Sequence, residues 1–283
     1  MPVVKLYQHG LTAGIPPMKN DHDRAVRGEV QGWSSGATRR NMLFLMSVVE
    51  ADLTGAGCAF TLTLRDCPAT ADEWHKLRRA FEMRMVRAGM VRMHWVTEWQ
   101  RRGVPHLHGV VWFPDCYDLA AITQAWTEVA ARFGAGRRGQ HVMPINDAIG
   151  WFQYLSKHAA RGVKHYQRTA ENIPLGWKSR TGRVWGKCGD WPVREAVRVS
   201  LQDQHGDGGF FAFRRLCRSW RLADARAAGD QWRVRSARAM LKCPCKPGET
   251  ALSRVRGVSE WIPPDAQTAF LANLAERGFS VTC

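Results

Sequence analysis

Residues 91–113, VRMHWVTEWQRRGVPHLHGVVWF, contain two apolar-rich segments on either side of a short polar turn. The segments 91–100 and 104–113 are separated only by residues 101–103, whose sequence is RRG. A short loop that ends in Gly is typical of a β-hairpin, because Gly readily adopts the positive φ that such a loop requires. The stretch therefore predicts two antiparallel strands.

The length of this loop predicts which residues of the two strands face each other. If Gln100 faces Val104, then Glu98 faces His106, and His108 lies two residues further along the same strand. Side chains alternate between the faces of a sheet, so Glu98, His106 and His108 project from one face. The opposite face is apolar and consists of Met93, Trp95, Trp99, Leu107, Val111 and Phe113.

Two helices with clear start signals flank the hairpin. Thr70 and Glu73 have the spacing of a capping box, in which two side chains satisfy free backbone donors at a helix start. Asp118 precedes a second apolar-periodic segment and is a favoured N-cap residue. We expect helices over 70–88 and 118–134, each followed or closed by a Gly.

The remaining segments give a βαββαβ order followed by one more helix. Alternating apolar residues predict a strand over 58–64, and a short strand is expected at 140–145. A helix over 146–161 follows. This order predicts an α+β fold with a ferredoxin-like antiparallel sheet, helices on one face, and the other face left for a ligand or an extra helix.

Composition and charge indicate a globular protein with a polyanionic partner. The 283 residues include 41 Lys and Arg against 25 Asp and Glu, a formal net charge of +16. Nucleic acid is the first candidate for the partner. No apolar run is long enough for a membrane helix, and the start of the chain lacks a secretory signal. Eight scattered Cys favour reduced thiols, so we expect a cytoplasmic protein without a membrane partner.

The chain divides into three regions by composition. Residues 1–32 are rich in Gly, Pro and charge and predict a flexible leader. Residues 33–192 contain the βαββαβ order and form the expected main domain. Residues 193–283 predict a basic, mainly helical region, which could bind duplex DNA, recruit a helicase or only cover the catalytic domain.

Glu98, His106 and His108 form the first candidate site. Two imidazoles and one carboxylate on one sheet face suit a single divalent cation. An unpaired carboxylate facing a sheet interior would otherwise be costly, which favours the metal site. A pair of structural histidines is the alternative, and the residues alone leave both interpretations open.

The last helix supplies a candidate nucleophile. Tyr154 and Lys157 are one turn apart, opposite a packing stripe of Ala148, Phe152, Leu155 and Ala159. A phenol with a pKa of about 10 is a poor nucleophile at neutral pH. A neighbouring Lys and a nearby metal would favour the phenolate. The alternative is an ordinary amphipathic helix whose Tyr lies at the margin of the core.

Three short motifs resemble those of a known enzyme family. TLT at 61–63, the element from Glu98 to HLHG at 106–109, and YLSK at 154–157 occur in the order of the three motifs of HUH endonucleases, the rolling-circle replication initiators. The stretch from Trp33-Ser34 to Arg39-Arg40, and GRVWG at 182–186, resemble replication proteins of filamentous single-stranded DNA phages. The resemblance covers about residues 33–192.

The resemblance implies a role for each motif residue. His106 and His108, with Glu98 as third ligand, would hold Mg²⁺ or Mn²⁺. Tyr154 would be the nucleophile, and Lys157 would orient DNA or stabilise charge. The expected DNA contacts are Arg137, Arg138, Arg161, Thr61 and Thr63.

A single-tyrosine enzyme is expected from the residue at position 158. Some family members have paired tyrosines four residues apart, but His158 stands at that place here. Tyr166 is left as a second candidate. The implied activity is nicking and rejoining of single-stranded origin DNA through a 5′-phosphotyrosine, with a host polymerase and helicase as partners. The alternatives are an HUH transposase, a non-enzymatic DNA-binding regulator and a 2-His-1-carboxylate iron oxygenase.

Overall fold

A computed structural model describes residues 3–14, 28–156, 165–202, 208–241 and 258–282. This part of the chain is α+β, with two five-stranded antiparallel sheets and seven α-helices. The strands are β1 (Val3–Tyr7), β2 (Gly10–Gly14), β3 (Ala56–Thr63), β4 (Arg92–Trp99), β5 (Pro105–Phe113), β6 (His141–Pro144), β7 (Trp185–Gly189), β8 (Val197–Gln202), β9 (Val258–Trp261) and β10 (Ser280–Thr282). The helices are α1 (Ser35–Ser47), α2 (Ala71–Arg87), α3 (Leu119–Val129), α4 (Ala148–Ser156), α5 (Gly208–Ala227), α6 (Gln231–Leu241) and α7 (Pro264–Glu276).

The chain forms two compact units. The first consists of Met1–Asp23, Met46–Val48 and Arg194–Cys283, and the second of Arg24–Leu45 and Val49–Val193. The sheet of the second unit has the strand order β6-β3-β5-β4-β7. Its first four strands and the helices α2 and α3 follow each other in the chain as βαββαβ, which was expected from the sequence.

The predicted hairpin register is confirmed. Glu98 pairs with His106, and His108 pairs with Val96 across β4 and β5. Gly103 in the loop has a φ of 78°, as expected for a residue in the left-handed region. Glu98, His106 and His108 therefore lie on one face of the sheet, which we call the histidine face.

Two helices cover the opposite, apolar face. Phe81 of α2 packs edge-on against Phe60 of β3, with ring centroids 5.8 Å apart, and Trp126 of α3 packs against Phe81. Both predicted helix starts are confirmed. Thr70 and Glu73 form the capping box of α2, and the Asp118 carboxylate accepts a hydrogen bond from the Ala120 N–H at the start of α3.

The other two helices of this unit lie on the histidine face. The Phe44 ring of α1 stacks on the His94 ring of β4 at 5.6 Å, and Phe152 of α4 contacts Trp112 of β5 at 6.2 Å. The packing stripe predicted for α4 is confirmed at Phe152 and Leu155, both fully buried. Positions 157–161 of the predicted helix lie outside the described residues.

The predicted flexible leader is corrected at residues 3–14, which form the hairpin β1–β2. The sheet of the first unit has the order β10-β8-β1-β2-β9, so this hairpin is its centre. Val4 and Leu11 are buried in a core with Phe210 and Phe213 of α5. The hairpin is stable here because its edges pair with strands from the other end of the chain. The C-terminal region accordingly contains three strands as well as α5, α6 and α7.

Among the described helices, none is long and apolar enough to cross a membrane.

Candidate active site

The histidine face brings the three predicted ligands together. The His106 and His108 rings are parallel to within 3°, with centroids 5.4 Å apart. The Glu98 side chain is fully buried, and its Oε2 lies 3.5 Å from Nε2 of His108. The strand register produces this arrangement, because residues opposite each other or two apart share a face of the sheet.

Thr61 contacts the same imidazole from the neighbouring strand. Its position on β3 faces His108 on β5, and its Oγ1 lies 2.9 Å from His108 Nδ1. Thr63, two residues further along, donates its hydroxyl to the Gly139 carbonyl at 3.1 Å. The structure thus gives each threonine a partner within the protein, and their contacts with DNA stay a prediction.

Tyr154 projects from α4 onto the histidine face. Its ring stands edge-on to the His108 ring, with centroids 6.1 Å apart, and the residue is 45% exposed. Burial raises the pKa of the Tyr154 hydroxyl above its ordinary value. The nearby Glu98 and Tyr166 raise this pKa further, while Arg168 opposes them. The phenol is therefore protonated at neutral pH and needs activation before it can attack.

The structure says less about the other predicted site residues. Lys157 and Arg161 lie outside the described residues. Arg137 and Arg138 are exposed on a short 3₁₀ turn that precedes β6, where they are accessible to a nucleic acid. Tyr166 is 46% exposed, and the guanidinium of Arg101, in the hairpin loop, lies 5.2 Å from its ring.

Arg168 is a site residue that the sequence did not indicate. Its Nε donates to Glu98 Oε1 at 2.6 Å, and both side chains are fully buried. Its Nη2 donates to the Leu155 carbonyl at 2.8 Å. The local sequence gives no signal for this, since the segment has no periodicity and its partner, Glu98, is distant in the chain. That an Arg is buried can be recognised only once the carboxylate that pairs with it is known.

The donor types on this face suit a divalent cation. Imidazole nitrogens are ligands for divalent transition metals, and carboxylate oxygens suit Mg²⁺ and Mn²⁺. One Glu98 oxygen is already bonded to Arg168. Within the described ranges, no cluster of three or more His, Cys, Asp or Glu side chains is arranged to hold a metal ion. A metal ion held by His106 and His108, with Glu98 as third ligand, therefore stays a prediction.

Comparisons with known proteins give the family. The model of the family described as replication-associated protein ORF2/G2P matches residues 57–160, which contain the histidine-face strands and α4. The chain is 50% identical over 286 residues to the replication-associated protein G2P of Pseudomonas phage Pf3, with 99% of each chain covered.

Two Xylella fastidiosa proteins are also similar, and both are named as candidate replication proteins. The protein of strain 9a5c is 61% identical over 285 residues, covering 100% of this chain and 99% of that protein. The protein of strain Temecula1 is 61% identical over 264 residues, covering 92% and 99%. No solved structure is significantly similar. With identities this high over nearly its whole length, the chain belongs to the replication-associated protein ORF2/G2P family.

Proposed function

We propose that this chain is a replication initiator that nicks and rejoins single-stranded origin DNA by tyrosine transesterification. The observation that carries the proposal is the position of Tyr154, whose ring lies edge-on to His108 on the face that also holds His106 and Glu98. Family membership and the net charge of +16 support DNA as the substrate.

The reaction exchanges one phosphodiester for another. The Tyr154 oxygen attacks the scissile phosphorus, and the 3′-oxygen of the DNA leaves and takes up a proton. The product is a 5′-phosphotyrosine and a free 3′-hydroxyl. Because one ester has replaced another, a later attack by a 3′-hydroxyl can rejoin the strand without ATP. Mg²⁺ or Mn²⁺, held by His106 and His108 with Glu98, would supply Lewis-acid stabilisation of charge on the phosphate.

The protein's own groups prepare the tyrosine for attack. The pKa of Tyr154 is raised by burial, so the phenolate must be favoured by a positive charge when DNA binds. Lys157, three residues further along the chain, is the residue we propose for this task.

The proposed function assigns tasks to the rest of the chain. We propose that the strands in the order β6-β3-β5-β4, with α2 and α3, form a ferredoxin-like nuclease core. Arg137 and Arg138 would bind DNA phosphates beside it. In the host cytoplasm, the 3′-hydroxyl made by the nick would prime a host polymerase, with a host helicase separating the strands.

The test is covalent trapping of labelled single-stranded origin DNA in the presence of Mg²⁺ or Mn²⁺. Wild-type protein should form a complex that survives denaturation, and Tyr154→Phe should bind the DNA but form none. Tyr166→Phe is a matched control, because Tyr166 is exposed to nearly the same extent, 46% against 45%. This control should retain the complex, and peptide mapping should place the nucleotide on Tyr154.

Two results would contradict the proposal. A Tyr154→Phe complex of wild-type yield would refute the assignment of the nucleophile. Wild-type protein that binds origin DNA but never forms a covalent complex, with or without a chelator, would instead be a non-enzymatic DNA-binding regulator.

A further inference from the structure

Leu155 of α4 is held by two side chains from other parts of the chain. The Leu155 carbonyl accepts a hydrogen bond from Arg168 Nη2 at 2.8 Å and one from Asn41 Nδ2 at 3.2 Å. Both donors come from segments distant in the chain and tie this residue of the helix to them. Leu155 directly follows Tyr154, and any shift of this carbonyl moves the tyrosine.

The same Arg168 side chain is anchored to the sheet. Its Nε donates to Glu98 Oε1 at 2.6 Å, and its guanidinium lies 3.8 Å from the centroid of the Trp33 ring. Trp33 is itself fixed, because its Nε1 donates to the Thr97 carbonyl of β4 at 2.8 Å. One guanidinium thus joins the carboxylate beside His108 to the helix that carries Tyr154.

The second donor to this carbonyl is oriented by the sheet as well. His94 of β4 donates from Nε2 to Asn41 Oδ1 at 2.7 Å, which leaves the Asn41 amide nitrogen directed at Leu155. Both His94 and Asn41 are fully buried. The contribution of Arg168 is the stronger of the two, because its hydrogen bond is shorter and its donor is charged.

We propose that Arg168 is a positioning residue, which holds α4 on the sheet so that Tyr154 stays beside His108. This inference rests on the proposed function and goes beyond it, because Arg168 acts through Leu155 and Glu98 rather than on the DNA. Reaction requires the attacking atom to be held close to its target, and a misplacement of about 1 Å can cost on the order of 100-fold in rate.

Arg78 offers a matched control. It is also largely buried, with 12% of its side chain exposed; its Nη1 lies 2.5 Å from Glu82 Oε2, and its guanidinium lies 4.1 Å from the Trp95 ring. It belongs to α2, on the face of the sheet opposite α4. Arg78→Met therefore removes a comparable ion pair and ring contact without touching the tyrosine helix.

The experiment compares Glu98→Gln with the double variant Glu98→Gln/Arg168→Met. The double variant removes both charges of the buried pair, whereas Arg168→Met alone would leave the Glu98 carboxylate buried without its partner. In Glu98→Gln the Arg168 guanidinium loses its counter-charge but keeps an amide oxygen as hydrogen-bond acceptor. Only Glu98→Gln keeps Arg168 and its hydrogen bond to the Leu155 carbonyl. The readouts are amide hydrogen exchange over 148–156, DNA affinity by fluorescence anisotropy, and the single-turnover rate of adduct formation at saturating DNA.

We expect exchange over 148–156 to be faster by about tenfold or more in the double variant, because a hydrogen bond from a charged donor is lost. The single-turnover rate should fall on the order of 10- to 100-fold relative to Glu98→Gln, while DNA affinity is unchanged. Arg168→Lys should lose less exchange protection over 148–156 and less of the single-turnover rate, because Lys keeps the charge but cannot bond Glu98 and Leu155 in the same geometry. Arg78→Met should leave α4 exchange and the rate as in wild type.

Hydrogen exchange over 148–156 that is the same in the double variant as in Glu98→Gln would overturn the inference. An equal single-turnover rate of adduct formation in these two variants would also overturn it, if wild-type protein forms the adduct. Equal effects of Arg78→Met would also overturn it, because they would show a general loss of stability. If the double variant does not fold, Arg168→Lys decides by the same measurements. If wild-type protein forms no adduct, the proposed function fails, but hydrogen exchange still decides whether Arg168 holds the helix.

Discussion

Thr61 Oγ1 lies 2.9 Å from Nδ1 of His108, and the other nitrogen of that ring, Nε2, lies 3.5 Å from Glu98 Oε2. The imidazole is therefore held between groups on the two strands that flank its own, β3 and β4. A hydrogen bond to one ring nitrogen fixes the tautomer and leaves the other nitrogen to act as a ligand or acceptor.

Thr61→Val should weaken the binding of Mn²⁺. Without the hydroxyl, His108 loses the partner of Nδ1, and losing such a contact typically lowers metal affinity about 10- to 100-fold. Isothermal titration calorimetry with Mn²⁺ measures the change. Thr63→Val is the control, because the Thr63 hydroxyl donates to Gly139 instead. Equal weakening in both variants would show that Thr61 does not act through His108.

Gly109→Ala should destabilise the sheet that carries the histidine face. A Cβ at this position would lie 2.4 Å from the Phe60 ring and 2.4 Å from the His94 carbonyl, so backbone or core must shift. Overpacking of this kind typically costs about 1–3 kcal/mol. Urea denaturation followed by Trp fluorescence should show a lower midpoint. Gly136→Ala is the control, because a Cβ there meets nothing within 4 Å; a similar loss in that variant would contradict the packing argument.

Replacing Arg137 and Arg138 with Gln should reduce the salt dependence of binding to single-stranded DNA. Each phosphate contact that is lost should lower the slope of log K against log salt by about 0.7. Anisotropy titrations over a range of KCl concentrations measure this slope. Arg180→Gln is an exposed control whose guanidinium lies 3.3 Å from Glu29 and 3.5 Å from Asp72. An unchanged slope in the double variant would remove both residues from the DNA contact.

His94 should make the protein less stable in mild acid. Burial lowers the pKa of His94 to about 3, and the charges of Arg168 and Lys187 add to the effect. An unfolded His has a pKa of about 6.5, so below that pH the unfolded chain binds a proton that the native chain does not. The free energy of unfolding should therefore decrease as the pH falls from about 6.5 towards 3, by at most about 1.4 kcal/mol per pH unit.

Urea denaturation at pH 7 and pH 5 tests this. His94→Gln should lose less stability than wild type between the two values, because it has no proton to gain on unfolding. His141→Gln changes an exposed residue of β6 and should behave as wild type. The same loss in wild type and His94→Gln would show that another group controls the acid response.

The geometry of the histidine face was predictable because it depends on local rules. A short loop with Gly103 sets the register of β4 and β5, and the alternation of side chains then puts Glu98, His106 and His108 on one face. The position of α4 was predictable only as far as its packing stripe. The stripe shows that Phe152 is buried but does not show which strand residue it contacts, and the structure supplies Trp112.

The role of Arg168 and the β1–β2 hairpin could not be predicted, because both depend on contacts between distant parts of the sequence. Arg168 and Glu98 pair across a large separation, and neither has a neighbour in the chain that indicates the other. The strands β1 and β2 are short and lie in a segment rich in Gly, Pro and charge, so composition favours a loop, and only pairing with β8 and β9 makes them part of a larger sheet. Patterns read along the chain cannot show such partners.

The placement of the β1–β2 hairpin also bears on the order in which the chain becomes structured during its synthesis. The hairpin leaves the ribosome before the strands that cover its two edges, because β8 and β9 come much later in the sequence. The five strands of the other sheet, from β3 to β7, are all available earlier. The sheet that carries the histidine face can therefore be assembled while the hairpin still waits for β8 and β9, with its two edges exposed to wrong pairing in the meantime.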